Sequence, residues 1–213
     1  MQKLISGLHK FRQEELGQYQ KLFHRLSKEG QNPHTLFITC SDSRVLAELI
    51  TQSQPGDLFV VKNIGNIVPA EDVVEGSNPT AAAIEFAVQT LEVSDIVVCG
   101  HSHCSAMETL LKGLPKPETM PHLHQWLELA APIRELIKRD YQHLKKDSEA
   151  CTNAAAEENV LLALENLHTY PVVANKLTAG KLCLHGWFFK IATAEMFAYD
   201  SATQQFQRIK TQK

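Results

Sequence analysis

The stretch Ile96-Val-Val-Cys-Gly-His-Ser-His-Cys104 joins a short apolar run to a loop crowded with imidazole and thiol. A run this short, uniformly apolar and β-branched reads as a strand buried on both faces, the kind found inside a parallel sheet. Two similar runs precede it, Thr35-Leu-Phe-Ile-Thr39 and Leu58-Phe-Val-Val61, and segments with helical patterning at 43–52 and 79–92 separate the three. The alternation of strand and helix predicts an α/β fold with a central, mostly parallel β-sheet and flanking helices.

Toward the amino terminus, Leu4, Leu8, Phe11, Tyr19, Leu22 and Leu26 form the stripe of a long amphipathic helix over 1–29, with Gly17 as its weak point. Such a helix must cover something, either its own domain or a partner subunit, and the spacing does not choose between them. Beyond Cys104 helical patterning returns near 105–112, 122–145 and 150–168, with a short helix from Pro171. The segments Leu182–Ile191 and Glu195–Tyr199 read as a C-terminal strand pair closing one edge of the sheet. No repeat or linker interrupts the chain. The expected organisation is a single domain over 1–213, with a helical arm (1–30), an α/β core carrying the chemistry (31–113), and a helical segment with edge strands (114–213).

Composition excludes several classes of function. The chain has 213 residues, 44% hydrophobic and 21% charged, ordinary values for a soluble globular protein. Its net charge is -3 and its 21 basic residues are dispersed, so neither nucleic acid nor an anionic membrane is an expected partner. No segment has the pattern of a signal peptide or the length of a membrane span, which predicts a cytoplasmic protein. Five cysteines in a reducing compartment leave metal binding, catalysis or plain burial for each thiol.

Functional groups in open α/β sheets gather beyond the carboxyl ends of the strands. Two predicted strands end in such groups, one in Cys40-Ser-Asp-Ser-Arg44 and the other in Cys99-Gly-His-Ser-His-Cys104. If these strands are neighbours, Cys40, His101 and Cys104 form a three-ligand zinc set with a fourth position open, the pattern of a catalytic site. His101 and Cys104 are three apart at a helix start and are expected to share a face. Cys99, Cys151 and Cys183 read as small buried hydrophobes and His103 as a polar rim residue. Asp42 and Arg44 are spaced for a fork of two charge-assisted hydrogen bonds. Held in that fork, Asp42 would orient a metal-bound water; released, it could occupy the open position itself.

Taken together, Cys40-Ser-Asp-Ser-Arg44 and His101-x-x-Cys104 resemble the β-class carbonic anhydrases, and the resemblance extends over nearly the whole chain. Met1-Gln-Lys-Leu-Ile-Ser-Gly-Leu8 and Leu36-Phe-Ile-Thr39 are most similar to the cyanobacterial carboxysomal type, without its long carboxyl-terminal extension. The resemblance implies zinc-dependent reversible hydration of carbon dioxide to bicarbonate and a proton by zinc-bound hydroxide. It implies a substrate-binding Gln31, an apolar pocket of Phe59, Ile64 and Phe86, and a substrate contact at the Ser105 amide. It further implies homodimers or higher homo-oligomers in which the amino-terminal helix reaches a partner subunit, with carboxysome proteins as candidate partners and the carboxysome as a candidate location. The chain departs from the family at Ser105, usually glycine, at Lys62, more commonly arginine, and at Pro79 and Ala81. Phe37 stands where a subgroup regulated by bicarbonate has tryptophan, so no such regulation is expected and Asp42 should stay on Arg44. Alternatives are a related zinc enzyme acting on carbon disulfide or carbonyl sulfide, and a catalytically weak zinc-binding scaffold.

Overall fold

The computed structural model describes residues 1–73 and 76–210; the last three residues of the expected 1–213 unit lie outside it. The sequence builds β1 (Thr35–Cys40), β2 (Leu58–Asn63), β3 (Asp95–His101), β4 (Cys183–Lys190), β5 (Glu195–Asp200) and β6 (Gln205–Arg208) into one sheet of order β2-β1-β3-β4-β5-β6. β1 to β4 run parallel, while β5 and β6 add antiparallel. The expected carboxyl-terminal pair is present as β4 and β5. The sheet edge lies one strand further on, because the short polar β6 continues the meander.

The amino-terminal arm is α1 (Gln2–Lys10), a π-helical turn (Phe11–Glu15) and α2 (Leu16–Glu29). Neither helix buries a residue: Leu4, Leu8 and Phe11 of the apolar stripe face outward, as do Ile5 and Phe23 beside it, while Tyr19, Leu22 and Leu26 are half-buried. The expected helix at 43–52 shrinks to α3 (Ala47–Thr51), because the Asp42 carboxylate captures the Arg44 amide and holds the preceding residues in a turn. At 79–92 stand α4 (Pro79–Glu85), capped by Asn78 at the amides of Thr80 and Ala81, and a closing π-turn over Phe86–Thr90. α5 spans Ser105–Lys112. The expected helix at 122–145 is α6 (Pro121–Glu128) and α7 (Ala131–Asp140), separated where Pro132 cannot donate a helical hydrogen bond. α8 (Ser148–Leu167) and α9 (Pro171–Thr178) complete the chain's helices.

One sheet face is packed by α4, α8 and α9, where Leu36, Ile38, Ile96 and Val98 meet Ile84, Val160, Leu167 and Val173. The alanine-rich face of α8 sits so close to β3 that a Cβ at Gly100 would lie 2.8 Å from Val160 Cγ2 and 3.1 Å from the Ala156 carbonyl. That closeness matters, because α8 reaches the loops that follow β2 and β3. The opposite face carries Phe37, Val97, Cys99 and Phe189, with Leu58, Val60 and Trp187 half-buried, and the short α3 lies over it.

Candidate metal centre and active site

β1 and β3 are parallel neighbours in register, Thr39 opposite Cys99, so their carboxyl ends lie side by side. Cys40 is the last residue of β1 and His101 the last of β3, while Cys104 caps the amino end of α5. Their ligand atoms lie within 4.8 Å of one another, and all three side chains are buried. His101 and Cys104 do not share a helix face as their spacing suggested. His101 still belongs to the strand, and a turn with His103 in the left-handed region (φ 56°) brings Cys104 back beside it.

The chemistry of this donor set fits a zinc ion. His101 Nδ1 donates to the Ser102 carbonyl at 2.9 Å, which leaves Nε2 as the free acceptor, and Nε2 is buried without a partner. The nearby Cys104 thiol pulls Cys40 down, and the same contact together with burial pushes Cys104 well up. The thiol pair therefore takes one negative charge readily and resists the second, a conflict that a divalent cation relieves. The Gly65 amide donates to Cys40 Sγ at 3.4 Å. Gly65 has φ 78°, and a Cβ there would lie 3.1 Å from both Ala106 Cβ and Met107 Cε, so the turn needs glycine to approach the sulfur.

Beside the cluster, Arg44 Nε donates to Asp42 Oδ1 at 2.9 Å and Arg44 Nη2 to Asp42 Oδ2 at 2.7 Å, while the Arg44 amide adds a further bond to Oδ1 at 2.9 Å. These bonds hold Asp42 well below the usual carboxylate range. Arg44 Nη2 also donates to the His103 carbonyl at 3.1 Å, which ties the two loops of the site together. Asp42 Oδ2 stands 3.9 Å from His101 Nε2.

A family model described as carbonic anhydrase matches residues 35–196. A carbonic anhydrase of Synechocystis sp. is 45% identical over 206 residues, covering 97% of this chain and 73% of that protein. The structure of the β-carbonic anhydrase CcaA superposes with a TM-score of 0.92 at 44% identity, covering 98% of this chain and 99% of that one. The chain belongs to the β-carbonic anhydrase family. A structure from a report of two tetrameric β-carbonic anhydrases of Sordaria macrospora matches with a TM-score of 0.81 at 30% identity, covering 92% of this chain and 95% of that one.

The structure places the remaining residues expected of a β-carbonic anhydrase in two groups. Ile64 and Ser105 flank the Cys-His-Cys cluster: Ile64 precedes Gly65, and Ser105 opens α5 directly after Cys104. Ile64 lines an open apolar cleft of about 410 Å³ with Ser41, Pro79, Leu123 and Trp126. Gln31, Phe59 and Phe86 are not brought to this cluster. Phe59 pairs with Leu36, four residues before Cys40, about 13 Å along the strand at 3.3 Å per residue. It packs against Phe86 with ring centroids 5.8 Å apart and the rings tilted by 38°. Gln31 is exposed and precedes the start of β1, at the far end of the sheet from Cys40.

His103 is exposed on the rim, as expected, and Cys99 is fully buried, its thiol pushed up to about 12 by burial. Cys151 is half-buried and Cys183 exposed, so the expectation of burial fails for the latter, which sits at the solvent-facing start of β4. Three supporting residues had no signal in the sequence, and a fourth, Lys62, stood out only as a departure from the family and not for the contact it makes. Asn159 of α8 donates to the Gly65 carbonyl at 2.8 Å, Asn153 of α8 accepts from the His103 amide at 2.9 Å, and Trp126 donates to the Ile64 carbonyl at 2.7 Å. Lys62 Nζ bonds the carbonyls of Asp42 and Val45 at 3.1 and 2.7 Å.

Proposed function

We propose that this protein catalyses the reversible hydration of carbon dioxide to bicarbonate and a proton, with zinc held by Cys40, His101 and Cys104. The observation that carries this reading is a buried Cys-His-Cys cluster with an aspartate clamped by arginine at its side. When bound, zinc supplies a Lewis acid that brings the pKa of water to about 7, a general magnitude for which carbonic anhydrases are themselves the reference case. The residues supply orientation. Asp42, kept ionised and turned by Arg44, accepts the proton-bearing side of the attacking water. The Ser105 amide at the start of α5 donates to charge developing on the substrate oxygen. Ile64 offers apolar surface to an uncharged triatomic substrate.

Gln31, Phe59 and Phe86 belong to the same pocket in this reading, but on a second copy of the chain. Their distance from Cys40 within one chain, the outward-facing stripe of the arm, and the sheet face over which little more than α3 lies all support a homodimer or larger assembly. The described tetramers of Sordaria macrospora agree with that. A carboxysomal setting rests on resemblance to the cyanobacterial type alone, and co-purification with shell or core proteins tests it. No helix among the described residues is long and apolar enough to cross a membrane.

The decisive experiment is stopped-flow carbon dioxide hydration with zinc quantified in the same sample. Activity should be present in the zinc-loaded protein and lost in Cys40→Ser and Asp42→Asn; zinc without hydration would refute the reading. Mixing Cys40→Ser with Gln31→Ala subunits tests the shared pocket. If Gln31 serves the partner's metal, random reassociation restores about a quarter of the wild-type sites, whereas pockets built within one chain restore none.

A further inference from the structure

We infer that Lys62 is a positioning residue that locks the Asp42 turn against the sheet and so keeps the Asp42 carboxylate away from the metal. The inference rests on zinc binding at Cys40, His101 and Cys104. Asp42 to Val45 form a tight turn in which the Val45 amide donates to the Asp42 carbonyl at 3.2 Å. The Lys62 ammonium reaches the same Asp42 carbonyl at 3.1 Å and the Val45 carbonyl at 2.7 Å, bridging the first and last residues of the turn. Lys62 itself is anchored in β2, in register with Thr39. The turn that carries the aspartate is thus pinned to the sheet floor through its backbone.

The need for such a pin follows from distance. Asp42 Oδ2 lies 3.9 Å from His101 Nε2, the buried nitrogen without a partner. A small rotation of the turn would deliver a carboxylate oxygen to a metal held there, and zinc accepts such oxygens readily. That would fill the position the reaction needs open. Arg44 opposes the rotation through the side chain; like Lys62 it is exposed, so its grip competes with water. Lys62 opposes it differently, by fixing both peptide carbonyls that would have to turn. Two of its three ammonium protons serve this contact. Arginine could bridge the same two carbonyls, whereas methionine keeps the stem and loses every donor.

The test compares zinc- and cobalt-loaded wild type with Lys62→Met, Lys62→Arg and the double variant Lys62→Met/Asp42→Asn. In Lys62→Met, kcat for carbon dioxide hydration should fall about tenfold or more, with KM within about twofold, at unchanged metal content. The visible absorption of its cobalt form should shift as an oxygen ligand enters. Lys62→Arg should retain both wild-type readouts, and the double variant should show the cobalt spectrum of Asp42→Asn alone. Lys62→Gln, with one donor group left, should fall between and serves if the methionine variant does not fold. A Lys62→Met protein with the wild-type cobalt spectrum overturns the inference, as does a shift that persists in the double variant. Wild-type protein that holds zinc without hydrating carbon dioxide refutes the proposed function instead, and the cobalt comparison still decides the role of Lys62.

Discussion

Replacing Arg44 by alanine separates the catalytic use of the dyad from any structural one. The substitution removes three side-chain hydrogen bonds, two to the Asp42 carboxylate at 2.9 and 2.7 Å and one to the His103 carbonyl at 3.1 Å. It spares the Arg44 amide bond to Asp42 Oδ1. Because the guanidinium is nearly half exposed, the ion pair contributes about 1 kcal/mol or less to folding. For a chain of this size that corresponds to a fall in Tm of about 2–4 °C. Activity depends on direction rather than on binding energy. An Asp42 carboxylate held by one backbone amide can rotate by an ångström or more, and a misplacement of that size costs about a hundredfold in rate.

Arg44→Ala should therefore lose about two orders of magnitude in kcat while folding, retaining zinc and melting nearly as wild type does. Arg44→Lys should recover only part of the loss, since an ammonium supplies charge without the planar fork. Stopped-flow hydration, zinc quantification and thermal melts on the same preparations give the three quantities. Activity within a few-fold of wild type would refute an orienting role for the dyad. A large drop in Tm accompanied by zinc loss would show instead that Arg44 acts by joining the loops through His103.

Gly65→Ala should destabilise the fold by about 1–3 kcal/mol, from the positive φ and the crowding against Ala106 and Met107, and weaken zinc retention against a chelator. Unchanged retention would show that the Gly65 amide does not support Cys40. Asn159→Leu leaves the Gly65 carbonyl buried without a donor and should cost about 1–3 kcal/mol in urea unfolding; a neutral result would mean that water replaces the amide. Asp42, whose carboxyl is depressed in the folded state, contributes stability that is present above its unfolded value of about 3.9 and is lost as pH falls through the folded one. The stability difference between wild type and Asp42→Asn should therefore shrink on acidification below about pH 4, and a difference constant from pH 7 to 3 would contradict the ion pair.

The sheet was legible because buried parallel strands advertise themselves. Leu36 and Ile38, or Ile96 and Val98, are apolar whichever face they meet, and β-branching excludes the helical alternative over so few residues. β6 escaped because Gln205, Gln207 and Arg208 face solvent and only Phe206 reaches the core, too little for a period of two. The break between α6 and α7 was hidden for a different reason: apolar positions keep helical spacing across it, and Pro132 fits a first turn as well as an interruption. At the site, the ligands and the dyad stood out because cysteine, histidine, aspartate and arginine have few other reasons to crowd strand ends. Asn153, Asn159 and Trp126 act through one carbonyl or amide each, across separations in sequence that follow from the packing of α6 and α8 alone, and Lys62 acts through the two carbonyls of a turn that the pairing of β1 with β2 brings beside it.

The faces from which the ligands come explain why Cys99 is excluded although it lies two residues from His101. Along β1, Leu36 and Ile38 point into the helix-packed face and Phe37 into the other, so alternation assigns Cys40 to the first. Along β3, Ile96 and Val98 point into the helix-packed face, while Val97 and Cys99 point away, and His101 falls in line with the latter pair. Cys40 and His101 thus start from opposite faces and can meet only beyond the last hydrogen-bonded pair, across the carboxyl rim of the sheet. Cys99 stands one register step too early, with Thr39 donating to its carbonyl at 2.9 Å and its thiol sealed among Phe37, Val97 and Phe189. A ligand at that depth would need the sheet to open. Shifting β1 by one residue against β3 would move Cys40 to the wrong face, so the metal set depends on register as strictly as the core does.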